Sequence, residues 1–153
     1  MSGPSAAFIA AFALCFYVVG ATFVEGFVNY RTWPLIGAAE FKAYHRAVGP
    51  RVIAFVVVPI ALLVVVTAGL LWWRPQTIPA WSVWVSLGFD VFAIAISLAF
   101  QIPIQRELDR NGFSLPLLRR LVAIEWFRKG PHIANSLLFL WMMSRLLSGA
   151  SGV

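Results

Sequence analysis

Long uncharged segments dominate the hydrophobic pattern of the chain, and polar stretches separate them. The first, residues 6–24, is close to the ~20 residues that a helix needs to cross the ~30 Å hydrocarbon core of a bilayer. A second covers residues 52–73, and a third covers residues 80–102 with Asp90 as its single charge. Stretches of this length and composition predict membrane-spanning helices.

The last predicted span is less apolar than the others. Its uncharged part, residues 130–144, is too short for a full crossing, so the helix would carry Glu125 and Arg128 through the interfacial region. We therefore predict an all-α fold, a polytopic membrane protein built as a four-transmembrane-helix up-down bundle. The spans are predicted near residues 6–28, 52–73, 80–102 and 121–147 of a single domain, residues 1–153.

The composition changes the predicted solvent. The chain is 61% hydrophobic and 12% charged, with a mean hydropathy of +0.84, whereas soluble domains carry about 25% charged residues. A soluble domain is excluded, and 15% aromatic residues with one cysteine exclude a disordered chain and a disulfide scaffold. The lipid bilayer is the predicted partner, and no nucleic acid is expected despite the net charge of +6.

The basic residues are distributed unevenly between the predicted connections. Most of the 12 Lys and Arg lie in or beside residues 29–51 and 103–120, and only Arg74 and Arg145 remain for the other side. By the positive-inside rule, the loops at 29–51 and 103–120 are cytoplasmic and both termini are external. This predicts a multi-pass protein of the cell membrane.

Asp90 is the deepest ionisable residue of the predicted spans. A carboxyl group within lipid costs a few kcal/mol, so it needs a partner or a purpose. Asn135, Ser136 and Thr22 are the nearest polar candidates by depth. Two interpretations stay open: a structural acid, protonated and bonded across helices or close to the interface, and a proton relay or substrate contact.

Polar residues from every predicted helix collect near the cytoplasmic face. On a helix, Glu125 faces Arg128 at i+3 and Lys129 at i+4, so an ion pair between Glu125 and Arg128 is one interpretation. The other makes the cluster the wall of a pocket that opens to the inner leaflet and takes an anionic or quinone-like ligand. The cluster comprises Glu25, Asn29, Tyr44, His45, Gln101, Gln105, Glu125, Arg128 and His132.

The two histidines leave the cofactor undetermined. Bis-imidazole haem ligation needs two histidines on facing helices, which His45 and His132 match in number only. A metal site from these histidines with Glu25 and Glu125 lacks the H-x-x-x-H or E-x-x-H spacing of such sites. No metal ligands are assigned, and haem and a metal ion stay open as cofactors.

Short motifs in both halves of the chain resemble a known group of proteins. They are Trp33-Pro34-Leu35-Ile36-Gly37 followed by Glu40-Phe41-Lys42-Ala43-Tyr44-His45, then Gln101-Ile102-Pro103-Ile104, Arg120-Leu121-Val122 and Trp126-Phe127-Arg128. With them the whole chain resembles small bacterial four-helix integral membrane proteins of unknown function, similar to the anthrone oxygenase-like family. A few members of that family are associated with oxidation of polyketide anthrones to quinones. The resemblance implies a bacterial inner membrane protein.

The resemblance also implies particular site residues. These are Tyr44, His45, Gln101, Trp126 and Arg128. The chain departs from the family pattern in the fourth predicted helix, with Glu125 in place of Asn, and with Lys129, His132 and Asn135 in place of Thr, an aromatic residue and Arg.

Three functions are compatible with these features. The sequence favours a non-enzymatic accessory or scaffold subunit, whose polar cluster holds its own bundle or a larger membrane complex together. The alternative is a membrane-embedded oxidoreductase or oxygenase-like enzyme acting on an aromatic or quinoid lipophile, with His45 as acid/base, Tyr44 as its aid, and Arg128 with Gln101 binding an oxyanion. The third is a small proton- or cation-coupled transporter that uses Asp90 and works as a homo-oligomer.

Overall fold

Four long helices make up the computed structural model, which describes residues 2–150. They are α1 (Gly3–Leu35), α2 (Ala38–Gly69), α3 (Ala80–Asn111) and α4 (Leu115–Ala150). No strand occurs in residues 2–150, so the predicted all-α class is confirmed. The connections, residues 36–37, 70–79 and 112–114, are short, and successive helices therefore lie antiparallel as neighbours.

Three of the four helices are long and apolar enough to cross a membrane. They are α1, α2 and α3, which contain the first three predicted spans. The second predicted span ends too late, because α2 stops at Gly69 and residues 70–73 form turns. Charged residues interrupt the apolar part of α4, and the helix is not among the three.

The predicted cytoplasmic loops at residues 29–51 and 103–120 are largely helical, which corrects the prediction. Helix α2 begins at Ala38, and α3 continues to Asn111, so each extends beyond its apolar span. These extensions are amphipathic and pack against each other through Phe41 and Leu108, both fully buried. The sequence was interpreted as loops here because the charged residues on the outer faces interrupt the narrow apolar face of each helix.

A π turn interrupts each of the first three helices. The π turns are Glu25–Asn29 in α1, Ile53–Val57 in α2 and Ser97–Gln101 in α3. The flanking α-helical segments are Gly3–Val24 and Tyr30–Thr32, Ala38–Val52 and Val58–Gly69, and Ala80–Ile96 and Ile102–Asn111; a 3-10 turn, Trp33–Leu35, ends α1.

Prolines account for two of these π turns. Pro59 and Pro103 each lie two residues beyond one, and a proline ring clashes with the carbonyl four residues earlier, which a wider turn relieves. Pro59 also leaves the Phe55 carbonyl without its usual helical N–H donor. The Tyr17 hydroxyl of α1 donates to that carbonyl at 3.0 Å, so the freed acceptor is satisfied from a neighbouring helix.

The helices form a ring in which α1 and α3 each pack against both α2 and α4. Two apolar clusters fill its ends. The first apolar cluster lies near the 70–79 connection and includes Phe8, Cys15, Leu63, Val83 and Phe139. The second lies near the other two connections and includes Tyr30, Trp33, Phe41, Leu108 and Leu121. Buried polar residues of α1, α3 and α4 lie between the two clusters.

Gly112 allows the tight reversal between α3 and α4. Its φ of +88° is in a region that L side chains rarely adopt, and its N–H donates to the Leu108 carbonyl at 2.9 Å. Only three residues are then needed to turn the chain, so α4 returns directly alongside α3.

Candidate functional site

A buried ion pair joins α1 to α4. Arg128 Nη2 lies 2.9 Å from Glu25 Oε2, and the two side chains are 7% and 5% exposed. Glu125 Oε1 is 3.1 Å from Lys129 Nζ but 3.8 Å from Arg128 Nη2, so the predicted Glu125–Arg128 contact is present but is the longest of the three. Two carboxylates and two cations thus balance, as a low-dielectric interior requires.

A glycine allows the Glu125 carboxylate to reach α1. A Cβ atom on Gly26 would collide with both carboxylate oxygens and the Cδ atom of Glu125. The absence of a side chain therefore brings the carboxylate against the α1 backbone, inside the π turn.

Three aromatic rings lie close to the Lys129 ammonium group. Its Nζ atom lies 4.2 Å from the ring centre of Phe27, 5.1 Å from that of Phe23 and 5.6 Å from that of Trp126. Cation–π attraction of this kind strengthens when the cation is desolvated, and Lys129 is buried.

Hydrogen bonds extend from the ion pair towards the outer end of the bundle. The Tyr30 hydroxyl donates to Glu25 Oε1 at 2.9 Å, and Gln105 Nε2 donates to the Tyr30 oxygen at 3.2 Å. Gln105 Oε1 lies 2.7 Å from His45 Nε2. Since an amide oxygen only accepts, this His45 nitrogen carries the hydrogen. Together with the ion pair to Arg128, these hydrogen bonds link residues of all four helices.

The second ring nitrogen of His45 faces a surface carboxylate. His45 Nδ1 is 3.6 Å from Asp109 Oδ1, and Arg46 Nε is 3.4 Å from the same oxygen. Asp109 is 43% exposed, so this network begins at the surface of the bundle and ends at the buried ion pair.

A cavity of about 910 Å³ lies between α2 and α3, with α1 and α4 behind it. The two helices pack against each other on either side of their π turns, and the cavity opens at the level of the turns. Its apolar wall includes Ile53, Val57 and Leu98, all more than half exposed, so the opening faces outwards from the bundle. Its polar end is formed by Glu25, Asn29, His45, Gln101, Gln105 and Arg128.

Three residues that line this cavity each carry a buried donor atom without a hydrogen-bond partner in the described part of the chain. The donor atoms are Gln101 Nε2, Arg128 Nε and Trp33 Nε1, on side chains of residues no more than 5% exposed. All three atoms carry N–H groups and none is an acceptor. A buried donor left unpaired costs about 1–3 kcal/mol, so a bound molecule that presents acceptor oxygens would be stabilised here.

Several predicted site residues lie elsewhere. Tyr44 packs on the second apolar cluster, while Glu125, Trp126 and His132 do not line the cavity. His132 is buried on α4, one helical turn beyond Arg128. The cavity therefore brings together part of the predicted cluster, and the roles proposed for its members stay predictions.

The metal ligand set that the sequence left open is not assembled. No group of three or more His, Cys, Asp and Glu side chains is placed to hold a metal ion in residues 2–150. His45 and His132 belong to different surroundings, the first at the Gln105 network and the second behind Arg128. The cofactor stays unassigned.

Asp90 contacts one of the three polar candidates that depth along the spans indicated. Asn135 Nδ2 donates to Asp90 Oδ1 at 2.9 Å, and both residues are fully buried. This pair joins α3 to α4 and does not line the cavity. The predicted contact across helices is confirmed.

Sequence reasoning missed Tyr30, Trp33 and Asp109. The first two were assigned to a loop, yet α1 continues to Leu35 and buries both side chains. Asp109 lies four residues after Gln105, which places both on one helix face, a spacing that the sequence displays.

Comparison of the chain with protein-family models, with curated proteins and with solved structures found no match. The resemblance to the anthrone oxygenase-like family stays a prediction.

Proposed function

We propose that this integral membrane protein binds an aromatic or quinoid lipophile in the cavity between α2 and α3, as a membrane-embedded oxidoreductase or oxygenase-like enzyme must. The three unpartnered buried donors, Gln101 Nε2, Arg128 Nε and Trp33 Nε1, carry this proposal. Ligand sites typically combine an apolar wall with a few placed polar groups. A flat apolar molecule with carbonyl or phenolate oxygens matches both.

The ligand reaches this site from the lipid. The apolar rim, with Ile53, Val57 and Leu98, is exposed on the outer surface of the helices that we assign to the bilayer. A water-insoluble molecule would pass between α2 and α3 at their π turns without entering the aqueous phase. Its oxygens would then meet the polar end, where Gln101, Arg128 and Trp33 carry N–H groups that can donate to them.

His45 lies at the outer end of the same cavity. Both of its ring nitrogens already face oxygen atoms, of Gln105 and of Asp109. To act as an acid or base on the ligand, His45 must exchange the Gln105 oxygen for a ligand oxygen. Asp109 would then hold the ring and pass the proton to the surface.

As part of the same proposal, all four helices cross the membrane. A Cβ on Gly149, near the end of α4, would collide with Thr77 in the 70–79 connection, while α4 begins at the 112–114 connection. Helix α4 therefore runs the length of the bundle beside α3, so it crosses wherever α3 crosses. The basic residues at the 36–37 and 112–114 end favour a cytoplasmic position for that end, with both termini external.

An accessory or scaffold role is the second candidate. Its support is the ion pair between Glu25 and Arg128, which is complete within the chain and stabilises the bundle without any ligand. This role predicts no affinity for a free lipophile.

Blocking the cavity separates the two candidates. Val57 lines it and Val58 does not, although their exposed fractions, 51% and 54%, are nearly equal. We expect Val57→Trp to weaken binding of a dihydroxyanthraquinone at least about tenfold, equivalent to about 1.4 kcal/mol. Val58→Trp should bind like the wild type. Binding is measured by probe fluorescence in nanodiscs, and equal affinity in all three proteins contradicts the proposal.

Removing one donor tests the polar end. Gln101→Leu keeps the size of the side chain and deletes the N–H group, so affinity should fall about three- to tenfold for the loss of one hydrogen bond. Gln76→Leu is the control, since Gln76 is exposed in the 70–79 connection. If Gln101→Leu leaves the affinity for a quinone-bearing probe unchanged, the probe binds at a different site.

A further inference from the structure

A second buried polar group lies beyond the cavity and has no part in the proposed binding. It consists of Asp90 on α3 with Asn135 and His132 on α4, none more than 2% exposed. The Asp90–Asn135 hydrogen bond satisfies one atom of each partner only. Asp90 Oδ2, Asn135 Oδ1 and His132 Nε2 have no hydrogen-bond partner among residues 2–150.

No cation balances the Asp90 carboxylate. Across residues 2–150, none of the ion pairs includes Asp90. The α4 residue that donates a hydrogen bond to Asp90 is the neutral Asn135, and an ionisable neighbour on α1 is the buried thiol of Cys15. On α2, the charged residues all precede the π turn, and the segment Val58–Gly69 has none.

An ionised carboxylate in this place would be both buried and unpaired, which is the most costly state for the group. A proton removes the charge. It also turns Oδ2 into a donor, which can bond an acceptor nearby. Neutral Asp90 is therefore the form that agrees with the surroundings.

The unpartnered atoms continue along α4 towards the cavity. Asn135, His132 and Arg128 are spaced by three and four residues, so they share one helix face. The separation from Asn135 to Arg128 is about 10 Å along the axis, from seven residues at about 1.5 Å each. Buried polar atoms at such spacing are typically bridged by internal water molecules, each with about three hydrogen bonds.

We propose that Asp90 is a proton-binding site in the bundle interior, neutral in the free protein and connected by internal water to His132 and to the Arg128 end of the cavity. A proton leaving the Asp90 carboxyl group would pass along this water to a ligand phenolate held near Arg128. The phenolate becomes a phenol and Asp90 becomes a carboxylate that keeps its Asn135 hydrogen bond. This last transfer rests on the proposed function, whereas the proton site and its water connection do not.

Infrared spectroscopy of the ligand-free protein in liposomes tests the site. A protonated carboxyl group gives a separate C=O band, which we expect in the wild type and in Asp109→Asn, but not in Asp90→Asn. The Asp109 variant is the matched control, because it removes an exposed carboxylate from the same helix. A band that persists in Asp90→Asn, or no band in the wild type, overturns the proton site.

Transfer to D₂O tests the connection to water. The Asp90 band should shift within minutes as its proton exchanges, and a band that stays in place overturns the internal water path. The variant Asn135→Leu gives a second test of the assignment of the C=O band to Asp90, and it leaves Asp90 in place. Loss of the hydrogen bond should raise the frequency of the same band, and an unchanged frequency overturns its assignment to Asp90.

Adding the dihydroxyanthraquinone probe distinguishes this inference from the proposed function. Loss of the band on binding supports proton transfer to the ligand. Bound probe with an unchanged band overturns the transfer. Where the probe fails to bind at all, the proposed function fails, and an exchangeable Asp90 band still supports the proton site.

Discussion

At the scale of single residues, burial of charge in pairs determines which side chains are structural. Glu25 and Arg128 are almost completely buried, and each neutralises the other. Removing one member of such a pair leaves the other as an uncompensated buried charge. Stability should therefore depend on this pair more than on any exposed one.

Neutralising Glu25 tests this argument. Glu25→Gln keeps the side-chain volume but leaves the Arg128 charge unbalanced, and it should lower the free energy of unfolding by about 3–5 kcal/mol. The measurement is equilibrium unfolding in mixed detergent micelles. Asp109→Asn removes the acid of the Arg46–Asp109 pair, in which the Asp109 side chain is 43% exposed. This substitution should change the free energy of unfolding by less than about 1 kcal/mol. Equal losses in the two variants would contradict the assignment.

Sequence reasoning reached part of the site at this scale. Glu25, His45, Gln101, Gln105 and Arg128 were predicted to converge, and they line one cavity. Depth along the spans was enough for that, and for the Asp90–Asn135 contact. Depth does not give the direction of a side chain around its helix, and for that reason Glu125 and Tyr44 were placed in the same cluster although they face other surroundings.

At the scale of helices, close approach between α1 and α4 depends on one missing side chain. Gly26 is the α1 residue against which the Glu125 carboxylate lies. Gly20 lies on the same helix and is exposed, and a Cβ atom at this position would have no neighbour within 4 Å. Substitutions at the two positions therefore distinguish the effect of steric contact, present at Gly26 only, from the effect of helix propensity, present at both.

Alanine at these positions should have opposite effects. Gly26→Ala forces the Glu125 carboxylate away and should destabilise the protein by about 1–3 kcal/mol, the usual cost of overpacking. Gly20→Ala should be neutral or stabilise by up to about 1 kcal/mol, since alanine favours a helix. Both are read from thermal unfolding in one detergent. A Gly26 variant as stable as the Gly20 variant would show that α4 does not approach α1 here.

The helices were predicted from the sequence only where lipid dictates the pattern. An uncharged segment identifies a span, because hydrocarbon tolerates few charges. It does not show that a helix continues past the interface, where Ala38–Val52 and Ile102–Asn111 keep an apolar face towards each other and a charged face outwards. The π turns were not predicted either. Pro59 and Pro103 give a local reason for two of them, whereas no proline lies two residues beyond the third, Glu25–Asn29.

At the scale of the whole molecule, the path of α4 decides the topology. A four-span bundle places both termini on one side, whereas a three-span chain would leave α4 on the side of the 112–114 connection. We expect alkaline phosphatase fused after Val153 to be active, because that enzyme folds outside the cytoplasm, and green fluorescent protein at the same position to be dark. Fusions after Ser114 should give the reverse result. The same signal from both positions would show that α4 does not cross.

The charges of α4 also have a consequence for the biosynthesis of the protein. Helix α4 is not apolar enough to enter a bilayer by composition alone, unlike α1, α2 and α3. Its Arg128 is neutralised by Glu25 of α1, and its Lys129 lies against Phe23 and Phe27 of the same helix. Helix α1 is synthesised before α4. In the four-span topology that we propose, insertion of α4 is therefore a step of tertiary assembly, and a chain cut before α4 would leave the Glu25 carboxylate without its Arg128 partner, a defect that quality-control proteases can recognise.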